Sequence, residues 1–527
     1  MSSTPARSPW LVAVAVVVPT FMEVLDTTVA NVALRYIAGG LSAAVTDGEW
    51  VITSYLASNA FVLPISGWLS ARVGRRNYFL GSIAMFTFAS GLCGIAGSLP
   101  QLILFRVLQG MAGGGLQPSS QAILLDAFPR ERQGAAMTMF GIAALTGPIV
   151  GPTLGGWLVD NYDWRWIFYI NVPVGLLAFA ASYRVLEDPP YLSEQRAQLA
   201  RQPLRFDGIG LGLLALTMAS WEIVLSKGQE WDWLGDPFWR VQTLLIILAV
   251  AAVCLVVREL TIDQPVVDLR VLRERNLAVS CVIIFSAFAV LYAATTTLPS
   301  LLQTLFGYDA YLSGLVMSPA GFFSIAMMAV VGALLGRGTD ARWLIAAGLL
   351  VVSAGSWWMS TMNLDIEPFQ VIWPRVVMIV GLSLIFAPLN VAAYLYTPLR
   401  QRAAAVGLFA LLRNEGGSFG TSMAQTLQER REQLHTLRLS EHVETTSANA
   451  AAFLEQTKTF LLEHTADPVK AAQMAHGLLG NLRRQQALSL AYFDVFWVSA
   501  VVALGLVLVV LLMKRSVAEQ GAHVGAE

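Results

Sequence analysis

Glu23 and Asp26 lie three residues apart in an apolar run that extends from about Trp10 to Ile37. On a helix this spacing puts both carboxyls on one face, near the middle of a membrane span. Charge inside a span is expensive, so such residues are functional candidates by default. Two like charges this close in low dielectric cannot easily both ionise, so the pair is expected to bind a proton near neutral pH and serve proton coupling. The plainer alternative is a pair of carboxylates satisfied by a neighbouring Arg. Arg106 is the one cation deep in the first six apolar runs, and the acid face of the first helix is its expected partner. Moving Arg106 relative to Asp26 would convert geometry into proton affinity; the alternative is simple helix bracing.

Other polar residues in apolar runs extend the set. Thr27 and Asn31 follow the acids, Gln109 follows Arg106, and the thirteenth run holds Arg413-Asn414-Glu415-Gly416-Gly417 about halfway along. These six, Thr27, Asn31, Gln109, Arg413, Asn414 and Glu415, are the candidates to line a substrate cavity. Arg413 and Glu415 read as a second ion pair, with Glu415 either binding substrate or neutralising Arg413. Glu222 and Arg375 lie near the outer ends of their runs and are expected to snorkel toward water. In the fifth run, Gly147, Gly151 and Gly155 recur every four residues beside Pro148, Pro152 and Gly156. They form a smooth stripe for a close helix neighbour and a bend where backbone donors are missing; a gating role would be an addition to that packing role.

These residues need a membrane to position them. Of the 527 residues, 56% are hydrophobic and 13% charged, with a mean hydropathy of +0.60, which excludes a soluble globule. A net charge of -1 removes the electrostatic case for a nucleic-acid partner. The five histidines fall outside the apolar runs, no metal or haem ligand set lies within them, and no GxxxxGK[ST] loop is present, so no cofactor is expected and an intramembrane enzyme is disfavoured. Cys93, Cys254 and Cys281 read as small buried hydrophobes rather than disulfides.

Fourteen apolar runs can be marked, so the expected fold is all-α, a polytopic membrane protein of two six-helix bundles plus two additional linker helices. The expected organisation is a first bundle at 10–186, a linker at 187–206, the two extra helices at 207–258, a second linker at 259–276, a second bundle at 277–513 and a tail at 514–527. An even number of spans puts both termini on one side. Arg7, Arg72, Arg75, Arg76, Arg130, Arg132 and further basic residues, 20 of the 34 in all, fall on that side, while the short loops on the other side hold few, which marks it as cytoplasmic. A weak echo between Gly67–Arg72 and Gly332–Arg337 suits parallel six-helix repeats, a transporter trait. The stretch 424–490 holds fourteen charged residues and four histidines and cannot sit in lipid. Its apolar spacing predicts an extracytoplasmic helical hairpin, either a solvated connection or a docking surface.

Several segments resemble the fourteen-helix drug:proton antiporters of the major facilitator superfamily. Asp26-Thr-Thr-Val-Ala-Asn31 is similar to their first-helix motif, and Gly67-Trp-Leu-Ser-Ala-Arg72-Val-Gly74-Arg75-Arg76 to the loop motif after the second helix. Arg106-Val-Leu-Gln109-Gly110 resembles the fourth-helix motif, Gly147-Pro148 to Gly156 the fifth-helix antiporter motif, and Trp164 to Gly175 the sixth-helix entry of this branch. Within it the likeness is to EmrB-type multidrug efflux permeases. The resemblance implies proton-driven export of hydrophobic or cationic drugs across a bacterial inner membrane, with a periplasmic adaptor (a membrane fusion protein) and an outer-membrane channel as partners. A lipid or fatty-acid exporter of the same fold is the alternative. Ala71 stands where the loop motif usually has Asp, so the charge latch made by that Asp is not expected in the same form.

Overall fold

The computed structural model describes residues 8–129, 132–188, 207–262, 265–365, 367–398, 401–442, 448–465 and 467–517. Arg7, Arg130, the linker from 189 to 206 and the tail beyond 517 lie outside the described residues.

Long apolar runs with few helix breakers make helices here because lipid offers no partner for a free backbone donor. Helix α1 (Pro9–Gly40) is followed by a short α2 (Val45–Gly48), then α3 (Trp50–Val73), α4 (Arg75–Gly94), α5 (Leu99–Gly113), α6 (Leu116–Ala127), α7 (Gln133–Asn161), a short α8 (Trp166–Tyr169) and α9 (Asn171–Val185). The linker pair is α10 (Gly208–Lys227) and α11 (Arg240–Thr261). The second half comprises α12 (Arg275–Leu305), α13 (Ala310–Met317), α14 (Pro319–Gly336), α15 (Ala341–Ser360), α16 (Pro368–Tyr394), α17 (Arg402–His442), α18 (Ala448–Thr465) and α19 (Pro468–Val510). Aspartates cap several starts: Asp207, Asp309 and Asp467 accept from the backbone N–H groups of Gly210, Leu312 and Val469, satisfying donors that a helix cannot pair internally.

Among the described residues nine helices are long and apolar enough to cross a membrane. Helix α7 makes a tenth if its two pieces, Gln133–Pro148 and Val150–Asn161, which meet at 42°, form one span. The other expected spans, α3, α4, the α5–α6 pair and α17, are helical but more polar, so the arrangement is consistent with fourteen. Three expected spans are broken. The fourth divides at Gly114–Gly115, the sixth at Ile170 and the tenth at Ser318.

Both ends of the described chain lie on one face. Trp10 meets the Phe128 ring edge-on at 5.3 Å, Leu335 packs over Gly134, and the Lys514 N–H donates to Asn276 at 2.7 Å. The two halves are pressed together at this terminal face. Gln121 donates to Asn390 at 3.2 Å and accepts from the Tyr394 hydroxyl at 3.3 Å, and the Leu63 carbonyl would lie 3.1 Å from a side-chain carbon on Gly407. Toward the opposite face Asn31 is exposed.

Two expectations need correction. The segment 424–490 is not a separate hairpin: α17 continues from the bundle without a break to His442, and α19 begins at Pro468 and runs without a break into the last span. With α18 they form a three-helix tower. Cys254 is exposed rather than buried, because it shares the outward side of α11 with Val250, Val253 and Val257; an apolar run does not say which face meets lipid.

Candidate functional site

Asp26 is buried in a pocket made wholly by the first half. Arg106 Nη1 donates to its Oδ2 at 2.6 Å, while Gln109 Nε2 and Asn171 Nδ2 donate to Oδ1 at 3.0 and 2.7 Å. The guanidinium is fixed in turn. It donates through Nε to the Val51 carbonyl at 3.1 Å and through Nη1 to Gln109 Oε1 at 2.8 Å, and it lies 4.2 Å from the centroid of the Tyr55 ring. A buried ion pair stands only when its remaining hydrogen-bonding capacity is met, and the amides of Gln109 and Asn171 meet it here. The sequence expectation that Arg106 pairs with the acid face holds for Asp26. Gln109 is an internal ligand of the same pocket and has no solvent exposure.

Glu23 does not share that pocket. Its Oε1 accepts from Asn59 Nδ2 at 3.2 Å and from the Tyr55 hydroxyl at 3.4 Å, and its Oε2 accepts from Gln117 Nε2. The Gln117 oxygen accepts from Arg413 Nη2, and the Asn59 oxygen accepts from Asn414 Nδ2 at 3.0 Å. Glu23 is therefore joined through two amides to two residues of α17 in the second half. Arg413 also lies within 6 Å of the Phe140 and Phe288 ring centroids. Asn59, Gln117 and Asn171 escaped the sequence reading. Their signal was present, since an amide inside an apolar run also needs a buried partner.

The expected Arg413–Glu415 ion pair is absent among the described residues. Two positions apart on a helix the side chains diverge by about 200°, so Arg413 turns to Gln117 while Glu415 turns to α10, beside Glu222. Glu222 does not snorkel; it is buried against α17. Arg375 is also buried rather than snorkelling, and donates through Nη2 to Thr295 at 3.0 Å. Thr27 is half-buried and bonds back to the Val24 carbonyl at 2.8 Å.

The glycine stripe of α7 faces α1. A side-chain carbon at Gly147 would meet Val24 at 2.6 Å, one at Gly151 would meet Thr28 Oγ1 at 2.0 Å, and one at Gly155 would meet Val29 at 3.1 Å. These glycines, with Pro148 and Pro152 inside the helix and buried Gly156, let α7 lie directly on the helix that carries both acids. On its other side α7 touches the second half, where Thr153 and Ser318 hydroxyls meet at 2.9 Å.

The loop motif sits at the terminal face. Gly74 adopts φ +96° between α3 and α4, a conformation open to glycine and strained for other residues. Gly67 is half-buried one turn before Arg72, whose guanidinium lies 5.1 Å from the Trp68 ring centroid. With Ala71 unable to carry charge, the contacts are made by the arginines that follow: Arg75 pairs with Asp126 at the end of α6, and the Arg76 backbone N–H donates to Asp188 at 2.8 Å.

Residues 17–421 match the sequence profile described as Major Facilitator Superfamily. The chain is 36% identical over 505 residues to the multidrug export protein EmrB of Haemophilus influenzae, covering 96% of this chain and 95% of the relative. It is 34% identical over 494 residues to the fatty acid resistance protein FarB of Neisseria gonorrhoeae, covering 94% of each. A solved proton:xylose symporter, XylE, shares the fold at a TM-score of 0.58 with 14% identity, over 93% of this chain and 99% of that one.

Proposed function

This chain belongs to the Major Facilitator Superfamily, and on that premise we propose that it exports hydrophobic or cationic drugs in exchange for protons. The observation that carries the reading is the pair of buried acids on α1. Asp26 is bonded to Arg106, and Glu23 is bonded through Gln117 and Asn59 to the second half. A proton arriving from outside competes with Arg106 for Asp26, and loss of that ion pair loosens α5 and α9 from α1. A proton on Glu23 weakens the amide links to α17, which favours separation of the halves at the terminal face. Drug leaves outward, the protons leave inward, and Arg106 re-forms its pair. One inward proton supplies about 2.3 kcal/mol per 100 mV and about 1.4 kcal/mol per pH unit. The relatives' printed names, multidrug export for one and fatty acid resistance for another, support an amphiphilic substrate; the second name favours a fatty-acid exporter as the alternative.

The test uses purified protein in proteoliposomes with an imposed pH gradient. Cationic drugs and fatty acids are added separately, and dissipation of the gradient is followed. Substrate-dependent dissipation by drugs is the expected result; dissipation by fatty acids alone would select the alternative, and export unchanged by collapse of the gradient would overturn proton coupling. No cofactor is part of this cycle.

The reading includes an inner-membrane location with the terminal face cytoplasmic, supported by the basic residues Arg72, Arg75, Arg76, Arg337 and Arg342 at that face. The tower then points into the periplasm, where its exposed Leu437, Phe460, Val469, Met474, Leu478 and Leu482 suit an adaptor that leads to an outer-membrane channel. His435 and Arg431 bond Asp494 at the tower base, and Arg483 donates to Ser440 above them at 3.0 Å. Replacement of residues 441–482 by a short Gly/Ser linker leaves that base in place. It should preserve transport in vesicles and abolish resistance in cells that rely on the adaptor; full resistance would mean that the tower is a solvated connection.

A further inference from the structure

The seam between the linker helix α10 and the second half holds a pair of carboxyls that the proton-coupling scheme does not use. Glu222 of α10 and Glu415 of α17 are 1% and 4% exposed and face each other within hydrogen-bonding reach. Ser418 beside Glu222 and the Trp221 side chain beside Glu415 are the neutral polar groups within reach; neither brings a charge, and Glu222 Oε2 has no hydrogen-bond partner. Two buried carboxyls in contact require a positive charge between or beside them, either a proton or a cation. Among the described residues no basic side chain is placed to supply it. Arg413 on the same helix is turned to Gln117, and Lys227 at the end of α10 is bonded to Glu49 and Glu230. Arg258 of α11, with Asp207 and Glu259, forms a cluster at the opposite end of α10. Arg431 and His435 of α17 are taken by Asp494 of α19. From α12, the neighbouring titratable group is Tyr292, whose hydroxyl bonds Thr27.

Aromatic rings line the same seam. Trp221, adjacent to Glu222, stacks on Phe419 at 6.4 Å with the planes 6° apart, and Phe419 meets Phe285 of α12 at 5.5 Å. All three rings are half-buried, so part of each ring stays open to a ligand. A metal ion fits poorly, because no group of three or more His, Cys, Asp or Glu side chains able to hold one exists among the described residues and π-faces are no match for hard cations. Ring faces beside a desolvated negative charge suit an organic cation with an apolar body.

We propose that Glu222 and Glu415, with Trp221, Phe419 and Phe285, form a binding site for a monovalent lipophilic cation at the α10–α17 seam, outside the cleft between the two halves, where cation and proton compete. The linker pair is then part of the binding machinery and not only a spacer. The inference deepens the exporter reading and rests on it for its place in transport, but the site itself is testable by binding alone.

The experiment is equilibrium binding of tetraphenylphosphonium to the full-length protein in nanodiscs, between about pH 8 and pH 6. Wild type should bind one cation, with affinity falling as protons compete. Glu222→Gln and Glu415→Gln should each weaken binding by about tenfold or more and flatten the pH dependence, while Asp236→Asn, outside the membrane, binds as wild type. Trp221→Phe keeps a ring and should lose affinity to a smaller degree than either Gln variant, a grading that general misfolding would not produce. Wild-type affinity and pH dependence in both Gln variants would overturn the site, as would equal loss in Asp236→Asn. A wild type that binds no tetraphenylphosphonium yet exports an uncharged drug would overturn the site and leave the exporter reading standing. Binding lost as expected, with no compound able to dissipate a pH gradient, would support the site and sink the exporter reading.

Discussion

Asp26 and Glu23 are one turn apart on the same helix, yet they belong to different kinds of environment. The partners of Asp26 come from α5 and α9, all within the first half. Those of Glu23 lead through Gln117 and Asn59 to Arg413 and Asn414 across the molecule. The Asp26 pocket therefore responds to local charge. The Glu23 junction depends on how the halves sit relative to each other; in the proposed cycle a proton on Asp26 acts within the first half, and one on Glu23 acts on the contact between the halves.

The largest effect is expected at Arg106. Arg106→Ala leaves Asp26 buried without its counter-charge, a loss of about 3–5 kcal/mol, visible as a lowered unfolding temperature together with lost export. Arg106→Lys restores charge without the planar fork and should recover only part of each. A stable, fully active alanine variant would remove the first half of the comparison.

Asp26→Asn should abolish substrate-driven dissipation of a pH gradient, since an amide does not titrate; it also leaves the Arg106 charge without its counter-ion, so the unfolding temperature should fall, while the bonds of Arg106 to Val51 and Gln109 remain. Normal dissipation would show that the switch lies elsewhere. Gln117→Leu cuts the link from Glu23 to Arg413 and leaves the Asp26 pocket untouched. It should slow gradient-driven export by about tenfold, or about 1.4 kcal/mol, in the range for orphaning buried polar groups. An unchanged rate would reduce the junction to packing.

How much of this could be read in advance depended on the kind of residue. Glu23, Asp26 and Arg106 announce themselves because a charge in an apolar run carries a desolvation cost that demands a reason. Asn59, Gln117 and Asn171 carry a smaller cost, and their partners belong to other helices, so nothing local in the sequence ties them to the acids. Glu222 and Arg375 were misjudged for a related reason. Distance from a helix end permits snorkelling, but the neighbours that block it, α17 beside Glu222 and Thr295 beside Arg375, are known only once the helices pack. The glycine spacing on α7 did foretell a close neighbour, though not that the neighbour would be the helix bearing both acids. The tower was legible as helical; its continuity with two spans was not, because no breaker marks where lipid ends.

A smaller effect tests whether α7 holds α1 in place for both acids. Gly151→Ala puts a methyl against Thr28 Oγ1, and overpacking of this kind costs about 1–3 kcal/mol. Thermal unfolding should register it, and Thr28→Ala in the same chain should restore most of the loss. The smallest effect is a control outside the membrane. Arg240 and three backbone N–H groups bond Asp236, and Arg240 beside it holds its carboxyl down at about 2. Because the folded value is depressed, the stabilisation is present above the ordinary value near 3.9 and is lost as pH falls through about 2. Asp236→Asn should loosen the loop to added protease at neutral pH and leave proton coupling unaltered.

Helix α17 carries Arg413, Asn414 and Glu415 and runs without a break to His442. The 27 residues from Glu415 to His442 make a rod of about 40 Å, stiffened at its base by Trp233 on Thr426 and by Gln229 on Glu429. A tilt of about 10° at the acid seam would swing the far tip by about 7 Å. In the proposed tripartite arrangement the rod is a pointer, through which a small change among buried side chains becomes a displacement on the scale of a protein contact.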